Sequence, residues 1–132
     1  MTDTNVDLVV LGGGSGGYAA ALRAAELGMS VALIEKDKLG GTCLHWGCVP
    51  AKTLLHAAEV ADEAREGASI GVKSSFDGID TTALLKYKDG VITRLYKGLQ
   101  GLIKSRGITV VEGTGTFVGP NTVVVGNDRY IG

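Results

Sequence analysis

The chain has 132 residues, room for one domain, with 45% hydrophobic residues and a formal net charge of −1. Acidic and basic residues are interspersed, which gives no electrostatic case for binding nucleic acid or a membrane surface. No apolar run approaches the ~20 residues of a membrane-spanning helix, and Met1-Thr2-Asp3-Thr4-Asn5 lacks the basic and apolar regions of a secretion signal. A reducing cytoplasm is therefore the expected setting, where a lone cysteine pair serves catalysis or metal binding more often than structure.

In chain order, residues 6–11 read as a short buried strand, branched and apolar, running straight into glycines. Residues 14–27 are alanine-rich and helical, stopped by Gly28. Residues 31–34 form a second buried strand ending in Glu35, which completes a βαβ unit. A helix is predicted over residues 48–66, with Pro50 tolerated in its first turn, and a loop over 67–79. Asp80 or Thr81 caps a long helix to about residue 105, its apolar face carried by Leu84, Leu85, Val91, Ile92, Leu95, Leu99, Leu102 and Ile103. Gly90, Gly98 and Gly101 weaken that helix by about 1 kcal/mol each against alanine. Residues 108–112 return as a strand, 116–118 and 123–125 as a hairpin turning at 119–121, and 127–132 as the opening of another strand.

Two motifs carry chemistry. Gly12-Gly13-Gly14-Ser15-Gly16-Gly17 contains G-x-G-x-x-G between a predicted strand and a predicted helix, and the acidic Glu35 ends the next strand 23 residues after Gly12. Gly12 makes the tight turn, Gly14 admits a pyrophosphate to the backbone, and Gly17 lets the helix pack on the strand. The N–H groups and dipole of the helix N-terminus face the phosphates, and Glu35 can accept from the adenosine ribose hydroxyls. The fingerprint alone suits NAD and FAD equally.

The second motif is Cys43-Leu44-His45-Trp46-Gly47-Cys48. Five residues along a regular helix separate Cα atoms by about 8.6 Å, beyond the roughly 7 Å limit for a disulfide. If the two cysteines bond, the segment enters its helix irregularly, and Gly47 permits the bend. A pair closed over so short a loop is a candidate for a reducible, exchanging disulfide. The other pattern, zinc held by Cys43, His45, Cys48 and His56, does not match the common zinc spacings. His45 reads as a local polar residue and His56 as a packed or surface helix residue; Tyr87 and Tyr96 are expected to pack.

Residues 40–52, Gly-Gly-Thr-Cys-Leu-His-Trp-Gly-Cys-Val-Pro-Ala-Lys, resemble the active-site signature G-G-T-C-x-x-x-G-C-x-P-x-K of the pyridine nucleotide-disulphide oxidoreductase family, and the likeness extends from residue 6 to about residue 125. Cys43-Leu44-His45 and the following Leu54-Leu55-His56-Ala57-Ala58-Glu59 are most similar to the members that oxidise dihydrolipoamide. Glutathione and mercuric reductases share the framework, usually with Val in place of Leu44. Trp46 departs from the pattern, since a smaller apolar residue or arginine is more usual there.

The resemblance implies an α/β fold: a Rossmann-like FAD-binding domain with a parallel sheet, helices and a small hairpin or meander, incomplete as it stands. It implies Cys43 as the interchange thiol and Cys48 as the thiol against the flavin, where a helix N-terminus favours its thiolate. It implies FAD held by Gly12, Gly14, Ser15, Gly17, Glu35, Lys36, Gly40, Gly41, Thr42, Lys52 and Gly115. In this scheme Gly40, Gly41 and Thr42 lie along the diphosphate and ribityl chain, Lys52 near the flavin ring and Gly115 at the adenine end. The implied reaction is oxidation of protein-bound dihydrolipoamide, with NAD⁺ as final acceptor. The implied partners are the lipoyl domain of 2-oxo acid dehydrogenase complexes or the glycine cleavage system, and a second copy in a homodimer. The alternatives are an NAD(P)H-dependent disulfide or mercuric reductase, and a non-catalytic FAD-binding fragment. Family members also carry a second glycine fingerprint for NAD and a dimerisation domain with a His-Glu pair. Neither occurs here, so residues 1–132 are expected to be the N-terminal part of a FAD-binding domain, inactive alone.

Overall fold

The computed structural model describes residues 1–132. Its elements, in order, are β1 (Asp3–Asn5), β2 (Leu8–Leu11), α1 (Ser15–Glu26), β3 (Val31–Glu35), α2 (Gly41–His45), α3 (Cys48–Glu66), α4 (Thr81–Ser105), β4 (Thr109–Glu112), β5 (Gly115–Gly119), β6 (Thr122–Val125) and β7 (Asp128–Ile131). A 3₁₀ turn, Gly67–Ile70, opens the stretch read as a loop.

Strands β2, β3 and β4 form a parallel sheet in that order, with Leu8 opposite Val31 and Ala32 opposite Thr109. Parallel strands need crossovers, and α1 and α4 make or complete them. The strand β3, Val-Ala-Leu-Ile-Glu, is apolar at every position but the last because both of its faces are covered. On one face Val31 and Leu33 pack with Ala21 and Ala24 of α1, Ile103 of α4, Leu39 and Ile108. The small alanines let α1 lie close to the sheet.

On the other face lies a second, four-stranded sheet in the order β1-β7-β6-β5. The hairpin and the strand after it form an antiparallel meander, with a register irregularity between Phe117 and Gly119. Gly115 of β5 comes so close to this layer boundary that a Cβ there would stand 2.6 Å from Leu11 Cδ1, 3.0 Å from Val123 Cγ1 and 3.1 Å from Ile34 Cγ2. The molecule thus has three layers: helices, parallel sheet and meander.

Two elements go beyond the sequence reading. Strand β1 pairs in parallel with β7, Asp3 opposite Arg129; its Asp-Thr-Asn sequence has little β character and is recruited by a partner 126 residues away. Helix α2 has five residues, too few to show a helical period. The 48–66 helix and the 81–105 helix have the expected bounds, and Asp80 caps the latter through an N–H from Ala83 at 3.0 Å. Tyr87, expected to pack, is 58% exposed, on the rim of an open groove between α3 and α4.

Candidate functional site

The glycine loop after β2 is ordered from several directions. Gly12 takes φ +100°, which a side chain would resist, and its N–H donates to Ile34 O at 2.8 Å. Gly13 is buried, and its N–H donates to Glu35 Oε2 at 2.7 Å. Glu35 Oε1 accepts the N–H of Asp37 at 2.9 Å. Two backbone donors therefore fix the carboxylate at the tip of β3, leaving further lone pairs for a ribose. A Cβ on Gly17 would collide with the Gly12 carbonyl oxygen, so this glycine sets the approach of α1 to the loop. Gly14, the N-cap of α1, and Gly16 have open space in front of them, and the first turn carries no acidic residue. Free N–H groups and unopposed helix dipole thus face a cavity.

The cysteine segment is stitched to this loop. The Gly40 N–H donates to Gly13 O at 2.8 Å, and Gly40 and Gly41 take φ +102° and +59°. A Cβ on Gly41 would stand 2.8 Å from Gly14 Cα. Helix α2 then carries Cys43, and α3 begins at Cys48. The chain breaks helical geometry at Trp46 and Gly47, which brings the two Cα atoms to 4.6 Å and closes a Cys43–Cys48 disulfide. Gly47 earns its place by closeness rather than by a positive φ: its φ is −123°, and a Cβ would stand 3.2 Å from Thr42 O. Cys48 is exposed at the N-terminus of a 19-residue helix, and Cys43 is half-buried.

Fingerprint and disulfide share one groove. A cavity of about 580 Å³ is lined by Gly12, Gly14, Ser15, Gly16, Gly17, Thr42, Cys43, Gly47 and Cys48. Next to it, Leu11, Gly12, Glu35, Lys36, Gly113 and Gly115 line about 280 Å³. Lys36, with Gly41, Thr42, His45 and Trp46, also borders a cavity of about 300 Å³. Gly40 is buried behind these cavities. Lys52 stands apart: it is exposed in a groove between α3 and α4 with Thr53, His56, Tyr87 and Arg94, outside the cavity that holds the cysteines.

Several contacts in the site go beyond the sequence reading. Gly13 belongs to the glycine triplet, but only its burial against Leu39 and Glu35 shows why a side chain is excluded. Gly113, at φ +146°, donates to Glu35 O at 2.9 Å and turns the chain from β4 into the adjoining cavity. His45 touches Leu39 O and Tyr96, a contact no local pattern signals.

A parallel sheet with a glycine-loop crossover, a covering meander and a disulfide lining the same groove as the glycine loop defines a class. Residues 6–131 match the model of the pyridine nucleotide-disulphide oxidoreductase family, and the chain belongs to that family. It is 47% identical over 92% of its length to dihydrolipoyl dehydrogenase 2 of Haloarcula marismortui, and 46% identical over 89% to dihydrolipoyl dehydrogenase of Bacillus subtilis. It is also 44% identical over 90% to leghemoglobin reductase of Vigna unguiculata. These alignments cover 26%, 25% and 23% of the relatives, so the chain spans about a quarter of their length.

Proposed function

We propose that this chain is the dinucleotide-binding and redox-disulfide portion of a flavin-dependent disulfide oxidoreductase that oxidises dihydrolipoamide. The observation that carries the reading is the groove of about 580 Å³ in which Gly12, Gly14 and Gly17 line the same space as Cys43 and Cys48. The names of the similar proteins support the substrate. The residues fit FAD: open backbone at Gly14 and Gly16 suits a diphosphate, and Glu35, Lys36 and Gly115 border a cavity suited to adenosine. Gly41 and Thr42 would flank the chain between the two ends. Lys52 is a member of the flavin set on the strength of the family signature.

The residues themselves perform the thiol chemistry. A thiolate of the dithiol substrate attacks Cys43 Sγ, the Cys43–Cys48 bond breaks, and Cys48 leaves as a thiolate. The positive end of α3 stabilises that charge. The second substrate thiolate then displaces Cys43, closing the substrate disulfide and leaving both cysteines reduced. Two electrons have moved from substrate to protein, and two protons have been released by the substrate thiols. FAD, when bound, supplies the two-electron acceptor that allows the pair to reoxidise, with NAD⁺ as the final acceptor in the whole protein. The dithiol is read as the lipoyl group of a 2-oxo acid dehydrogenase complex or of the glycine cleavage system, with the whole enzyme a cytoplasmic homodimer. No helix is long and apolar enough to cross a membrane.

The test is the absorption spectrum of the full chain with FAD before and after dithiothreitol. The expected result is bound flavin that gains a long-wavelength band on reduction, with the band lost in Cys48→Ser. Bound flavin without the band, while the Cys43–Cys48 bond opens, would remove Cys48 from the flavin face. Absence of bound flavin would remove the claim that this chain holds it. The second reading, the same thiol machinery run toward disulfide reduction with NAD(P)H, uses the same Cys43–Cys48 pair. Whole-protein turnover of dihydrolipoamide with NAD⁺, compared with disulfide reduction by NADPH, separates the two.

A further inference from the structure

His45 ends the short helix that carries Cys43. Its Nε2 lies 2.9 Å from the carbonyl oxygen of Leu39. A carbonyl only accepts, so Nε2 carries the hydrogen and donates it. The same ring stands edge-on to Tyr96 of α4, with centroids 4.9 Å apart and planes at 79°, a favoured aromatic geometry. Leu39 is buried in the main core, and Tyr96 packs against that core. One side chain, two residues from Cys43, therefore ties α2 to the body of the molecule at two points.

Helix α2 needs such ties. It has five residues and no side-chain hydrogen bond at its N-cap, and a helix this short does not persist alone. Cys48, in contrast, sits on the 19-residue α3. While the disulfide is closed, the bond itself holds Cys43 to α3. Once it opens, that constraint is gone. The buried Leu44, backbone hydrogen bonds and the two His45 contacts remain, and neither His45 contact involves a sulfur.

We infer that His45 is a positioning residue for the Cys43–Cys48 pair: it holds Cys43 within bonding reach of Cys48 when both are thiols, and so sets how readily the disulfide reforms. The inference rests on the reading of the pair as redox-active. The physical basis is effective concentration, since two thiols held together close a disulfide more favourably than two that drift apart. Loss of the tether shifts the equilibrium toward the dithiol.

The experiment equilibrates the full chain with graded ratios of reduced and oxidised dithiothreitol and counts free thiols by labelling. In the balance, dithiothreitol gives up two electrons and two protons, closing its own ring disulfide as Cys43–Cys48 opens to two thiols. In His45→Ala the midpoint should move about tenfold toward the dithiol, which is ~30 mV for a two-electron couple. His45→Gln can place an amide N–H near Leu39 O and should recover most of the shift. Tyr96→Leu should show a smaller shift in the same direction. An unchanged midpoint in His45→Ala, or equal shifts in the Ala and Gln variants, would overturn the inference. So would loss of the helical circular dichroism signal in His45→Ala, because His45 would then support the fold rather than the pair. A wild-type disulfide that never opens would overturn the redox reading itself, whereas a normal wild-type titration with no variant effect removes only the role of His45.

Discussion

At the scale of single residues, closeness of backbones explains more of this site than charge does. Gly17 is the sharpest case, because an added Cβ would meet the Gly12 carbonyl, which cannot swing aside as a side chain can. Gly17→Ala is expected to lower stability by about 1–3 kcal/mol, read from the urea midpoint, as the helix is forced off the loop. Gly16→Ala, with open space at its Cβ, should change the same midpoint by ~0.5 kcal/mol or less. Asp7 offers an electrostatic test. Ser30 donates to Asp7 Oδ2 through its hydroxyl at 2.6 Å and its N–H at 2.7 Å, holding the carboxyl below its ordinary value of 3.8. A depressed folded-state pKa stabilises the fold above pH 3.8, and that contribution fades as pH falls through the folded value. Ser30→Ala should therefore lower Tm most above that pH and converge on the wild type in stronger acid. Thermal melts across the acid range check this, and the effect will be small because the group is solvent-exposed.

At the scale of elements, the break between α2 and α3 is the device that makes a disulfide from two cysteines five apart. A continuous helix would hold their Cα atoms about 8.6 Å apart, whereas the observed distance is 4.6 Å. The sequence carried the necessity of a break and the name of the residue, Gly47, but not its geometry, because the reason lies across the loop in Thr42 O. Helix α4 shows the opposite relation. Gly90, Gly98 and Gly101 are exposed, have negative φ, and meet nothing at a Cβ position. Helical propensity therefore acts there unopposed, and Gly98→Ala should raise stability by about 0.5–1 kcal/mol, seen as a higher urea midpoint at unchanged slope.

At the scale of the whole molecule, the first strand closes onto the last. The Arg129 N–H donates to Thr2 O at 2.8 Å, the Thr2 N–H to Asp128 Oδ1 at 3.1 Å, and Arg129 pairs with Asp3 at 3.5 Å. Removing residues 1–5 strips β7 of this neighbour. Amide exchange at Arg129 should then rise at least tenfold, while amides in α1 keep their protection. Equal acceleration in both would show that the meander and the parallel sheet unfold as one unit.

The βαβ unit, the helices beginning at Cys48 and ending near Ser105, and the hairpin after β4 were legible in the sequence, because each is set by short-range periodicity, caps and turn residues. The glycine fingerprint and the cysteine signature were legible for the same reason, since the chemistry depends on fixed local spacing. Only the tertiary structure decided what the residues meet. It brought the two motifs into one groove, turned Glu35 onto the Gly13 N–H, recruited β1 to β7, set Lys52 outside the cysteine cavity and docked His45 on Leu39 and Tyr96. These are contacts between segments distant along the chain. Local pattern carries no term for them, because their free energy exists only once the layers have packed.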